Sequence, residues 1–251
     1  MRVIWLLIGV ILGCVVSSVI YLNLFISKCI PTKIIIYNQS SFSDNQQIIV
    51  RHIPIVAVNT FENEGIVGNL TLKLVPGNNN ILIDTNPFSE PEVQYAANIA
   101  VSVARMLSKN YENKDFIFSF NIPAEVVGGS SAGAAMTIVA YATLTNKHLK
   151  PGVVITGTIT HDGKIGKVSA ILEKAKAVAD SNYKIFLVPK GQTKLTYYEK
   201  ETKGYVGFGF SLYNIIYRPK KVDIKDAVKE EWNLEMIEVS NIEEALKYFV
   251  K

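Results

Sequence analysis

The chain has 251 residues with 26 lysines and arginines against 22 aspartates and glutamates, a formal charge of +4. That length suits one well-cored domain with an appendage, and so mild a charge, with no basic run, gives no sign of nucleic acid as a partner. Two cysteines, Cys14 and Cys29, and three widely separated histidines, His52, His148 and His161, exclude a disulfide framework and a zinc site.

Val3 to Ile26 carries no charged residue, and Ser17, Ser18 and Asn23 are its only strongly polar side chains. About 20 apolar residues make roughly 30 Å of helix, enough to cross a bilayer. A cleaved signal peptide has an apolar core of only about 7–15 residues before a small-residue cleavage site. Ile26-Ser27-Lys28-Cys29 fits that poorly, so residues 1–29 read as an uncleaved, single-pass anchor in the cell membrane. Arg2 on one side nearly cancels Lys28 and Lys33 on the other. The expectation is an extracytoplasmic domain, with which the sequons at Asn38 and Asn69 are compatible.

Residues 30–50 read as a linker, with Pro31, a short β-rich Ile34-Ile35-Ile36-Tyr37, and a polar run. A domain over 51–251 follows. β-Branched residues dominate from Ile48 to Val75, with alternation at the end, which predicts strands. Pro76-Gly77 and three asparagines mark a turn before a strand at Ile81-Leu82-Ile83. Ser89-Glu90-Pro91-Glu92 predicts a helix capped by Ser89, running to about Ser108 over Ala96, Ile99, Ala100, Val103 and Leu107. Phe116 to Phe120 reads as a strand, Val153 to Thr160 as another, Val168 to Asp180 as a helix, and Ile185 to Pro189 as a buried strand. Residues 191–232 show no assignable pattern. Ser240-Asn241-Ile242-Glu243 caps a final helix, Ile242 to Val250. Strand-to-helix alternation confined to the second half makes the fold class α+β with a partly parallel region.

Between the strand at 116–120 and an apolar helix lies Gly128-Gly129-Ser130-Ser131-Ala132-Gly133. Glycines let the backbone turn tightly, and a helix starting there turns unpaired N–H groups towards an anion or oxyanion. The same residues would also serve as a plain tight turn before a buried helix. A serine hydroxyl needs a base to become a nucleophile. His148 stands a full helix length away, some 20 Å at about 1.5 Å per residue, and nothing nominates His52 or His161. The nucleophile elbow G-x-S-x-G fails by one extra residue. The phosphate loop fails too, since Ala134 stands where lysine is required, and the run from Gly157 to Lys164 is one residue too long. A lysine remains as base, because burial disfavours the ammonium form. On the 168–180 helix, Val168, Ile171, Leu172, Ala175, Val178 and Ala179 form an apolar stripe with Lys174 and Lys176 on its two edges. Either lysine could simply lay its stem along that stripe with the amine in water. Periodicity does not choose between them.

Five pieces in register do choose. Gly129 to Gly133, Thr156-Gly157-Thr158-Ile159, Gly163-Lys164-Ile165-Gly166-Lys167-Val168, Glu173-Lys174-Ala175 and Ile185 to Pro189 resemble the proteolytic domain of the Lon family of serine peptidases. The resemblance implies a Lon-type α+β fold and a Ser–Lys dyad, with Ser131 as nucleophile and Lys174 as general base. It places the oxyanion donors near Gly129, Ser130 and Ser131, and Thr156 beside the lysine. It also implies a polypeptide substrate, no cofactor, and a ring-shaped homo-oligomer, a hexamer in the family's pattern. Three departures stand out. Gly128 replaces an acidic residue common in relatives, so Glu125 becomes the nearest supporting acid by sequence. Ser130 replaces the usual proline or aspartate, and residues 191–232 look longer than the family's segment. No ATPase motif is present. The expectation is a membrane-anchored, ATP-independent endopeptidase for unfolded or extended polypeptides. Its rivals are a non-catalytic, membrane-tethered assembly domain and a protease subunit served by a separate ATPase.

Overall fold

The computed structural model describes residues 48–59, 64–207 and 210–250. The expected anchor and most of the linker, including Val3 to Ile26 and Asn38, lie outside them. No helix among the described residues is long and apolar enough to cross a membrane. Residues from Gln46 onward form one compact unit, so its first strand begins within the span read as linker.

Two sheets of different character build the domain. The first has the order β1-β2-β5-β3. It comprises β1 (Ile49–Asn59), β2 (Glu64–Pro76), β3 (Ile81–Ile83) and β5 (Lys114–Asn121). β1, β2 and β5 run antiparallel, and β3 joins β5 in parallel. Alternation places Ile53, Leu70, Leu72, Leu74, Phe116 and Phe118 on the buried face, as period-two patterning requires. The second sheet, β13-β10-β7, is parallel throughout. Its strands β7 (Val153–Ile155) and β10 (Ile185–Pro189) read as continuous apolar runs, as a strand buried on both faces requires, whereas the edge strand β13 (Glu235–Val239) carries Glu235 and Glu238.

Helix α1 (Pro91–Ser108) and the largely apolar α2 (Gly133–Leu144) pack against the first sheet, and Ala134 to Ala140 are wholly buried. Helix α3 (Ile171–Asp180) packs on β2, where a Cβ at Gly65 would run into the carbonyl of Glu173. Helices α4 (Lys225–Trp232) and α5 (Ile242–Phe249) are the remaining helices among the described residues.

The structure shifts one expected cap and keeps the other within its motif. Ser89 does not cap α1; Glu90 occupies that position without a side-chain cap bond, and Pro91 opens the helix. Ser89 is drawn instead into β4 (Phe88–Ser89), which pairs in parallel with β6 (Val126–Val127), and backbone pairing there outweighs the local capping signal. At α5 the cap is Asn241, whose side chain accepts from the Glu244 N–H at 2.9 Å, while the Glu244 carboxylate accepts from the Ser240 N–H at 2.8 Å. The unassigned span 191–232 forms a long antiparallel ribbon, β11 (Lys194–Gly207) with β12 (Phe210–Asp223), followed by α4. The strand expected over 153–160 breaks after Ile155. Thr158–Ile159 (β8) instead forms a small hairpin with Ile165–Gly166 (β9).

Candidate active site

That break builds the site. At Thr156-Gly157 the chain leaves the parallel sheet and exchanges backbone bonds with the serine loop. The Gly157 N–H donates to the Ser131 carbonyl at 2.9 Å, and the Ala134 N–H donates to the Gly157 carbonyl at 3.0 Å. A Cβ at Gly157 would collide with Ile165 Cγ2, so only glycine permits this approach. The serine loop is pinned to the end of β7 through main chain on both sides.

Ser131 sits half-buried in the turn before α2, and Gly129 holds a left-handed conformation with φ of 74°. Among the described residues, the backbone N–H groups of Gly129, Ser130 and Ser131 donate to no acceptor, whereas the Gly133 N–H turns back to the Ser130 carbonyl at 3.0 Å. Unpaired donors beside a hydroxyl at a helix mouth are what a developing oxyanion needs.

Lys174 and Lys176 separate clearly. Helix α3 begins at Ile171, after Ala170 in a left-handed cap, and its buried face is Ile171, Lys174, Ala175, Ala177 and Val178. Leu172, assigned from periodicity to the apolar stripe, is 39 % exposed. Lys176 points outward and pairs with Asp180 at 2.7 Å, one turn on. Lys174 is 3 % exposed. Its Nζ donates to Thr156 Oγ1 at 3.4 Å, and Thr156 Oγ1 in turn donates to the Ser131 carbonyl at 3.3 Å. A chain of contacts therefore links the amine, through Thr156, to the serine's own backbone. Burial pushes the Lys174 pKa down to about 8. The cause is desolvation, since no carboxylate pairs with this amine among the described residues.

The acids near the loop are placed differently from their sequence order. Glu125 is exposed, and its carbonyl accepts from the Phe88 N–H at 3.0 Å while its carboxylate bonds to no described residue. Glu90, which the sequence offered only as part of a helix start, brings its carboxylate into the space that a side chain at Gly128 would fill. Its backbone N–H donates to the Val127 carbonyl at 3.0 Å, which fixes it beside the loop. No local signal marks it, because β4 reaches the loop from 38 positions away. Of the histidines, His52 bonds Thr71 Oγ1 at 2.8 Å on β1, and His148 and His161 are exposed on loops. None is placed with the serine, and no group of three metal-ligating side chains occurs among the described residues.

Comparison with known proteins identifies the family. The family model of the Lon protease C-terminal proteolytic domain matches residues 73–201, which include Ser131, Thr156 and Lys174. A Lon protease of Desulfosudis oleivorans is 30% identical over 106 residues, covering 39% of this chain and 13% of that protein. The chain thus corresponds to a small part of that relative's length. With about half of its residues matched by the family model, the chain belongs to the Lon protease C-terminal proteolytic domain family.

Proposed function

We propose that this protein is a serine endopeptidase that hydrolyses peptide bonds through Ser131 and Lys174. The observation that carries the reading is the buried, carboxylate-free Lys174, held through Thr156 against the Ser131 main chain. An amine with a pKa near 8 is neutral in a useful fraction of molecules at physiological pH, so it can accept a proton. Ser131 Oγ attacks the scissile carbonyl carbon as its proton passes to Lys174 Nζ. The carbonyl oxygen becomes an oxyanion facing the N–H groups of Gly129 to Ser131. Collapse breaks the C–N bond, and the leaving amine takes the proton from Lys174, which leaves a Ser131 ester. Water then attacks the ester, gives its proton to Lys174, and the acid product departs as Ser131 Oγ is reprotonated. Each oxyanion donor contributes about 3 kcal/mol in comparable sites.

The remainder of the proposal rests on sequence. Val3 to Ile26 anchors the chain in the cell membrane, the domain lies on the extracytoplasmic side, and the chains assemble as a homo-oligomer. With no nucleotide-binding motif in the chain, substrates are polypeptides already unfolded or extended, and cleavage needs no ATP. The test follows degradation of a fluorescent unfolded protein by the full chain without nucleotide, beside Ser131→Ala and Lys174→Ala. Loss of at least about a hundredfold in both variants is expected. Activity surviving Ser131→Ala would assign the nucleophile elsewhere, and an inert wild type would favour a tethered scaffold or a missing ATPase partner.

A further inference from the structure

The β11–β12 ribbon is the largest feature that the chemistry above leaves unused. Fourteen residue pairs, from Lys194 with Asp223 to Gly207 with Phe210, give it a length of about 45 Å at roughly 3.3 Å per residue. Beyond its root it packs on itself, and a lone two-stranded ribbon is marginal in water unless something covers it. The family match ends at residue 201, so all of β12 and the end of β11 lie outside the matched residues.

Its two faces differ. On one, Arg218 pairs with Glu201 at 2.8 Å and Lys220 pairs with Glu199. On the other, the register sets Tyr198 opposite Pro219, Lys200 opposite Tyr217, Thr202 opposite Ile215 and Gly204 opposite Tyr213. Tyr198, Tyr213 and Tyr217 are 67 %, 68 % and 61 % exposed. So much aromatic surface gathered on one face marks an interaction site. Among the described residues both long edges of the ribbon are also open, and present unpaired N–H and C=O groups to any extended chain.

The root ties this surface to the site. The ribbon leaves the carboxyl end of β10, and Thr156 leaves the same end of the adjacent parallel strand β7, with its N–H on the Leu187 carbonyl at 3.1 Å. Gln192 brackets Val168 with two bonds of 2.8 and 2.6 Å, which fastens the ribbon's base to the segment that enters the Lys174 helix. Six basic residues stand on β11 and β12 (Lys194, Lys200, Lys203, Arg218, Lys220, Lys221) against three acidic ones (Glu199, Glu201, Asp223).

We infer that the ribbon is a docking arm for acidic, apolar-rich polypeptide in extended form, which adds to an open edge as a third strand and is led from there to Ser131. The inference rests on the peptidase reading for its purpose, though not for the binding itself. Strand addition pairs the backbone groups of the edge, the aromatic face takes alternate apolar side chains, and the basic excess selects acidic chains. A lipid surface fits less well, because hydrocarbon leaves open strand edges unpaired.

The experiment uses the full chain in mild detergent, with one unfolded reporter protein made in acidic and basic versions, and a six-residue peptide too short to span arm and site. In the variant Tyr213→Ser/Ile215→Ser/Tyr217→Ser, KM for the acidic reporter should rise about fivefold or more, with kcat and cleavage of the short peptide within twofold of wild type. Lys200→Glu/Lys221→Glu should invert the preference between acidic and basic reporters. Equal loss on the short peptide would mean that the ribbon supports the site rather than captures substrate, and would overturn the inference. So would an unchanged KM in both variants, including the case where they lose only binding to anionic phospholipid vesicles. If wild type cleaves nothing, fluorescence anisotropy of the reporter on Ser131→Ala protein decides. Binding that the triple variant abolishes upholds the arm while the peptidase reading falls.

Discussion

Lys174 carries two consequences of one physical fact. Its amine is buried without a counter-charge, so the ammonium form is disfavoured and the pKa falls from its ordinary 10.5 to about 8. For catalysis, kcat/KM should climb about tenfold per pH unit below 8 and level off above roughly 9, as the free base accumulates. Because desolvation alone moves this group, Glu90→Gln and Glu125→Gln should leave that limb in place; a shift of half a unit or more in either pH–rate profile would show a carboxylate acting on the amine. For stability, the unfolded chain holds more protons than the folded one between about 8 and 10.5, so stability rises with pH across that window. Below it the full cost applies, roughly 3 kcal/mol for a depression of this size. Lys174→Met, which keeps the stem and removes the amine, should therefore raise the melting temperature at pH 7 by several degrees while abolishing cleavage. Calorimetry at pH 7 and pH 10 checks it, and a gain that does not shrink at pH 10 would contradict the assignment. Much of this was legible in the sequence, where Lys174 lay at family spacing from Ser131. Periodicity alone placed Leu172 in the stripe and left Lys174 at its edge, since hydropathy ranks a lysine below a leucine whatever lies opposite. Glu90 was not legible, because its place beside Gly128 depends on β4 crossing to β6, a contact between distant segments.

At the level of elements, the break in the β7 strand matters most. A continuous strand over 153–160 is what the β-branched run suggests, yet Thr156 and Gly157 leave the sheet to bond the serine loop. The gain is two main-chain bonds that fix the turn before α2, and the requirement is a residue with no Cβ against Ile165. Gly157→Ala should therefore separate the β8–β9 hairpin from the serine loop, cost about 2–3 kcal/mol by denaturant titration, and lower kcat more than that stability loss explains. Ile165→Ala in the same chain should restore much of the activity, since it removes the colliding methyl; no recovery would place the damage elsewhere. The helices and inner strands were readable because their periods are long and regular. The ribbon was not: with Lys, Glu, Tyr and Gly interleaved and both faces in water, no buried face imposed alternation on its sequence.

For the whole molecule, the proposal joins peptidase chemistry to an anchor formed by the uncharged Val3–Ile26. On the proposed reading, a peptidase acting without ATP serves where unfolded chains already occur, and a bilayer anchor holds it at such a place. The prediction is that the full chain stays in the membrane pellet after alkaline carbonate extraction, whereas a chain starting at Lys33 is released, with equal kcat/KM on a short peptide. In intact cells, added protease should then digest the domain, and Asn69→Gln should change the mobility of the protein where the host glycosylates exported sequons. Retention of the shortened chain would move the membrane contact into the domain itself. Resistance to protease until the cells are opened would place the site on the cytoplasmic side, where a separate ATPase could deliver its substrates.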